Sequence, residues 1–256
     1  MAVPLPVRTR LHVNRRRTFK KPVDTQTRHA LKGDKFAQAT QSGVTWLSGH
    51  RSSVVRVVVA VVVLVLVIAG AGIFVGLRAA SANTALGAAV DTYGSPLLPA
   101  GAPPENGIYS TAAARSKAAN EQFVAVAQQY GWLPAGAKAH YFAGVTYAEL
   151  GQNGPAETEL KAAADTWDRN LSNLAKLALA GLYHHTNRDA QAIDLYNALV
   201  AKPSVTVSAA VAQLDLADLY VAQGKRDQAR LLWAKVKDSD KDGAAGSIAQ
   251  QKLTGQ

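Results

Sequence analysis

The chain contains no cysteine in 256 residues. That excludes a disulfide framework, thiolate catalysis and any metal site built on sulfur. Aromatic residues make up 7% and methionine occurs once. Acidic residues are scarce in one place only. Residues 1–56 hold twelve Lys or Arg against Asp24 and Asp34, whereas the rest of the chain holds sixteen basic and sixteen acidic residues. The whole formal charge of +10 therefore precedes residue 57. No carboxylate pair, Ser-His-Asp set or phosphate-cradling glycine loop stands out, so the sequence gives no reason to expect an enzyme or a cofactor. His184 and His185 are adjacent, and neighbours on a helix point about 100° apart, so the two cannot clamp one metal.

Charge is also missing from Val57 to Leu77, 21 consecutive residues flanked by Arg56 and Arg78. As a helix this run is about 31 Å long, the thickness of a bilayer's hydrocarbon core. It has no polar face, as a core helix of a soluble protein would. Residues 54–78 are therefore expected to cross a membrane once. The positive residues before the run set its direction, with the N-terminus cytoplasmic and the C-terminal part translocated. A cleaved signal peptide fits less well, because its charged region is short and its apolar core runs about 7–15 residues. Within the run, Gly72 and Gly76 form a G-x-x-x-G pair suited to helix packing in the membrane.

Residues 1–23 mix proline with Arg15–Arg17, Lys20 and Lys21 and read as a disordered basic arm, a topology determinant that also meets anionic lipid. Nucleic acid is not expected as its partner. Residues 24–53 read as an amphipathic juxtamembrane helix, with Trp46 and His50 just before the span. Residues 79–110 form a stalk and a linker: Ser81–Tyr93 can continue the helix, but residues 94–104 contain four prolines and end it.

From residue 111 to 256 the pattern is helical with no strand signal. Helices are expected over Ala112–Tyr130, Ala137–Leu150, Pro155–Trp167, Leu171–His185, Asp189–Val200, Val207–Ala222, Arg226–Lys237 and Ala244–Leu253. They repeat. Setting Gly144, Ala180 and Ala217 in register brings Tyr147, Tyr183 and Tyr220 together three residues on. Gly151, Asn187 and Gly224 follow at seven, Ala156, Ala192 and Ala229 at twelve, and Leu160, Tyr196 and Trp233 at sixteen. Small residues let two helices cross closely, large ones fill the space beside them, and Gly or Asn makes the turn. Ala112–Tyr130 reads as the second helix of a further unit, with Ala119 and Phe123 at the matching places and Ser81–Tyr93 as its first helix.

This pattern resembles the tetratricopeptide repeat. It departs from it where His140, Lys176 and Gln213 replace a leading Trp, and in a spacing of 36 and 37 residues rather than 34. The expected fold is all-α, a single transmembrane helix followed by a divergent tetratricopeptide-repeat-like solenoid. The first helix of each pair would line a concave face, with Tyr141, Val145, Leu177, His184, Leu214 and Asp218 turned inward as a peptide-binding groove.

The layout of basic arm, single span, stalk and repeats, with the stretches AGVTYAELGQNGPAETELKAA and LADLYVAQGKRDQARLLWAKV, is similar to the YfgM-like family, ancillary subunits of the SecYEG translocon. The resemblance implies a bacterial inner-membrane protein with its repeats in the periplasm. It would associate with Sec translocon subunits and a periplasmic chaperone or isomerase, and hold emerging or unfolded polypeptides. The alternative is a scaffold for an envelope assembly of the division or Tol-Pal type. Asp238-Ser-Asp240-Lys-Asp242-Gly243 matches the opening of a calcium loop, but its twelfth position is Ala249 where a bidentate Glu is needed, so a capping loop is the expected reading and no metal is assigned.

Overall fold

The computed structural model describes residues 51–99 and 108–255. The basic arm and nearly all of the juxtamembrane segment lie outside the described residues. Among those described there are nine helices: α1 Arg51–Gly94, α2 Ala112–Tyr130, α3 Pro134–Glu149, α4 Asn153–Ala164, α5 Arg169–His185, α6 Asp189–Ala201, α7 Ala209–Ala222, α8 Arg226–Ser239 and α9 Ala244–Thr254. The only β pairing among them is an isolated bridge between Leu97 and Tyr109.

Two compact units divide inside α1, between Ala69 and Gly70. The described part of the first is a helix of open valine and leucine side chains: Val57 is 63% exposed and Leu66 65%. In the second unit the same character continues to Leu77, at 68% exposure. Helix α1 is long and apolar enough to cross a membrane. Valine is a weak helix former in water, but in hydrocarbon a helix is the one way a single segment satisfies its own backbone. At the two borders Arg56 donates to the Ser52 carbonyl at 3.2 Å, and the Arg78 guanidinium lies 5.7 Å from the centre of the Phe74 ring.

Beyond Arg78 the face of α1 changes. Ala82 and Ala89 are fully buried and Leu86 nearly so, packed with Ala119, Phe123, Val126 and Tyr130 of α2 and Ala135, Ala139 and Ala143 of α3. The last three turns of α1 are thus part of the helical array. The small residues at 82, 85 and 89 let α2 lie close, and Phe123 fills the space between Tyr93 and Phe142, with ring centroids 6.2 and 5.0 Å away. The array then proceeds helix against next helix from α2 to α9, and the first helices α3 and α5 also touch, as do α7 and α9.

At the small and the large repeat positions, residues in the same position share the same burial. Ala180 and Ala217 are fully buried, as are Ala156, Ala192 and Ala229, and Leu160, Tyr196 and Trp233 are 1, 6 and 1% exposed. Gly144 is buried against Leu160. Gly151, Asn187 and Gly224 have φ of 70°, 59° and 74°, the left-handed conformation that reverses the chain after a helix. Each makes the same pair of bonds. The residue after it donates to the carbonyl of the repeated tyrosine, Gln152 to Tyr147 at 2.9 Å, Arg188 to Tyr183 at 2.8 Å and Lys225 to Tyr220 at 2.8 Å. The turn residue itself donates to the next carbonyl, Ala148, His184 or Val221. The four-residue spacing from Tyr to Gly or Asn is the length of this double-bonded helix end.

The other set of turns is built differently. Asp168 caps α5 by accepting from the Asn170 amide at 2.9 Å, and Ser208 caps α7 by accepting from Val211 at 3.2 Å. Helix α4 ends at Ala164 rather than running on to Trp167, because Asp168 starts the next helix and leaves Trp167 in the turn.

Candidate peptide groove

The first helices of the pairs, α3, α5 and α7, carry the residues expected to face inward. On α3, Tyr141 and Val145 are half-buried, and so is Leu177 on α5. All three pack against the central core cluster built on Leu160, Leu179, Leu182, Tyr183 and Tyr196. Each is seated on that core with part of its side chain left open. Burial pushes the Tyr141 phenol above its ordinary pKa. It is a neutral hydrogen-bonding group on α3.

The remaining three residues lie elsewhere. Leu214 is 8% exposed and sits in the last core cluster beside Ala217 and Trp233, where it supports the array rather than lining its surface. His184 is in the last turn of α5, where its Nδ1 lies 2.8 Å from Asp189 Oδ1. Asp189 Oδ2 also accepts from Gln223 Nε2 at 2.6 Å. His184 is therefore part of a tie between successive turns. His185 beside it is exposed, with the two rings 6.0 Å apart. Asp218 is exposed on α7 and bonded to Lys252 of α9 at 2.7 Å. Asp218 and Lys252 line a cavity of about 400 Å³ with Val221, Trp233 and Ile248.

Asp215, which sequence reading did not single out, adds to the charge at this end. It is half-buried one turn before Asp218, and its carboxyl pKa is raised by burial and then by the Asp218 charge, with Lys252 opposing. Tyr196, buried beneath, is pushed up to about 12 by burial and by the same two carboxylates. The half-open apolar residues on α3 and α5 and the cavity on α7 and α9, where Asp218 is paired with Lys252, are thus separate features. Helix α7 is apolar nearly all round, and the pairing of Asp218 with Lys252 depends on how far α9 folds back, which no local pattern sets.

The turns between paired helices are stitched by carboxylates. Glu149 accepts from the Tyr93 hydroxyl and from Ser116 at 2.6 Å, joining the ends of α1 and α3 to the start of α2. Glu157 of α4 receives Lys161, Arg188 and the Tyr183 hydroxyl at 2.7, 2.7 and 3.1 Å. Hydrogen bonds from Lys161 and then Arg188 lower its pKa to about 2. Each clamp ties one pair of helices to the next.

Gly72 and Gly76 lie on the exposed part of α1, with open space where a Cβ would stand. Among the described residues no three His, Asp or Glu side chains converge to hold a metal ion. In the Asp238–Gly243 loop, Asp240 Oδ2 accepts from the Gly246 amide at 3.0 Å, so this carboxylate supports the start of α9. No protein-family model, curated protein or solved structure matches the chain.

Proposed function

We propose that the chain is a membrane-anchored protein-binding module: a tetratricopeptide-like solenoid carried on the outer side of a bacterial inner membrane by a single span. Its first-helix face holds segments of other polypeptides. The observation that carries this reading is that Tyr141, Val145 and Leu177 are half-buried on two first helices that touch, α3 and α5. Partly open apolar side chains on a rigid helical face offer an extended or helical peptide something to bury, while the core beneath keeps the face in shape.

The excess positive charge before residue 57 supports a cytoplasmic N-terminus and an array on the opposite side. Emerging secreted polypeptides at the Sec translocon are the ligands that such a tether would bring within reach, with a periplasmic chaperone or isomerase next in line. The test is site-specific photocrosslinking in growing cells from Tyr141 and Leu177. Crosslinks to translocon subunits or to secreted polypeptides still in transit are expected. Crosslinks confined to division or cell-wall proteins would replace this reading with that of an envelope scaffold.

A further inference from the structure

The two edges of the array differ, and the part of α1 from Gly70 onward, within the same compact unit, fixes the edge at which its apolar run enters the array. Successive helices are joined by short turns and run antiparallel. The end of α1 meets the start of α2 and the end of α3, where Arg115 donates to the Ser95 carbonyl at 3.0 Å and Glu149 holds Tyr93 and Ser116. The turns after α2, α4 and α6 therefore lie at the opposite edge, the one from which α1 arrives. Ala82, the first buried residue of α1, is only four positions past Arg78.

The far edge is closed by the carboxylate clamps on Glu149, Glu157 and Asp189. The near edge leaves large apolar groups open. Trp132 in the turn after α2 is 60% exposed, Trp167 in the turn after α4 is 87% exposed, and Val205 in the turn after α6 is 95% exposed. Basic residues accompany them: Lys138, Arg169 and Lys202 are exposed, and Asp165 and Asp168 are the acids of these turns, the second engaged in capping α5. Between the second and third of these turns is a cleft of about 420 Å³, open beside Trp167. Arg169, Lys176 and Lys202 line it together with Ser172 and Asn173, and no carboxylate does. The patch ends at the fourth turn, where Asp238 and Asp242 are exposed.

We propose that this edge docks on the bilayer, with Trp132, Trp167 and Val205 at headgroup depth and an anionic phospholipid headgroup in the cleft lined by Arg169, Lys176 and Lys202. Indole rings favour the membrane interface and basic side chains favour its negative surface. Arg169, Lys176 and Lys202 bring cationic donors to the cleft, as a phosphodiester requires, while Ser172 and Asn173 donate to the Ala164 and Lys202 carbonyls. Docking would lay the first three helical pairs along the membrane and leave the opposite edge turned away from it. The inference rests on the reading that α1 spans the bilayer.

The absence of cysteine makes the test direct. Single variants V205C, Q152C at the far edge and F74C in the span are labelled with an environment-sensitive fluorophore. The full chain is then reconstituted in vesicles containing a lipid with a nitroxide at its headgroup or in its upper acyl chain. In phosphatidylglycerol–phosphatidylcholine vesicles, quenching at V205C and F74C is expected, with Q152C at least fivefold less quenched. Replacing phosphatidylglycerol by phosphatidylcholine, or adding R169E and K202E, should remove most of the V205C quenching and leave F74C unchanged. V205C as weakly quenched as Q152C, with F74C strongly quenched, overturns the docking and spares the span. F74C unquenched overturns the span, and the docking falls with it. Equal V205C quenching in both lipids overturns the headgroup site.

Discussion

Gly144 and Leu160 stand face to face across the first complete helical pair. A Cβ built on Gly144 would lie 2.6 Å from Leu160 Cγ and 3.0 Å from the Leu160 amide nitrogen. These two positions are sixteen residues apart in each repeat, and the close approach of α3 and α4 at this point explains why one is small and the other large. Gly144→Ala should lose about 1–2 kcal/mol of stability, because the helix propensity gained, up to about 1 kcal/mol, is smaller than the cost of overpacking. The loss should shrink when Leu160→Ala is present, a coupling that a double-mutant cycle in denaturant unfolding measures.

The three left-handed turn residues make a second prediction. Gly151→Ala and Gly224→Ala each force a Cβ into a conformation with φ near 70° and should cost about 1 kcal/mol. Asn187 already bears a side chain at φ 59°, so Asn187→Gly should be neutral or slightly stabilising. Thermal unfolding of the three variants would show the two signs. Equal losses at all three would mean the turns do not share one geometry.

Much of this architecture can be read from the sequence because it is local. The apolar run of α1 is set by its length and lack of charge, and the turns by Gly or Asn four residues after Tyr. The buried alanines follow from a register counted along one chain. What the sequence conceals depends on distant partners. Leu214 and Leu177 occupy comparable helical faces, yet Leu214 is sealed by α8 and α9 while Leu177 remains half open. His184 is taken up by Asp189 across the turn after α5, while Asp189 meets Gln223 and Asp218 meets Lys252 through packing between repeats. Trp167 looks like the end of α4 until Asp168 is seen to cap α5. Its exposure, and with it the cleft, follows from that cap.

The clamp on Glu157 gives a pH dependence. Its folded pKa of about 2 lies below the ordinary carboxylate value of 4.5, so the clamp's contribution is fully present above about pH 4.5 and fades as the pH falls toward 2. Glu157→Gln should therefore lower the melting temperature at pH 7 and differ less from the parent chain at pH 3. A melting-temperature difference that stays constant between these two pH values would show that the charge of Glu157 contributes nothing. Because the clamp is only partly shielded from solvent, added salt should also reduce the effect at pH 7.

Asn120 supplies a test of the junction between α1–α2 and the rest. Its side-chain amide is buried and donates to the Ala143 carbonyl at 3.1 Å and to Thr146 Oγ1 at 2.9 Å. Asn120→Leu removes both bonds and leaves those acceptors without these donors, for a loss of about 1–3 kcal/mol. Hydrogen exchange should localise the loosening to α2 and α3, with α7–α9 unchanged. Uniform loss of protection would show instead that the array unfolds as one unit.

The claim that the α3–α5 face receives polypeptide is tested most directly by placing a photoreactive amino acid at Tyr141, at Leu177 and at Thr158, an exposed position on α4. The cells should be exporting a secreted protein stalled in the translocon. Crosslinks from Tyr141 and Leu177 to the stalled chain, absent from Thr158 and lost when export is blocked before insertion, are predicted. Crosslinks of equal strength from all three positions, or none from Tyr141 and Leu177 while the protein is present and folded, would contradict it.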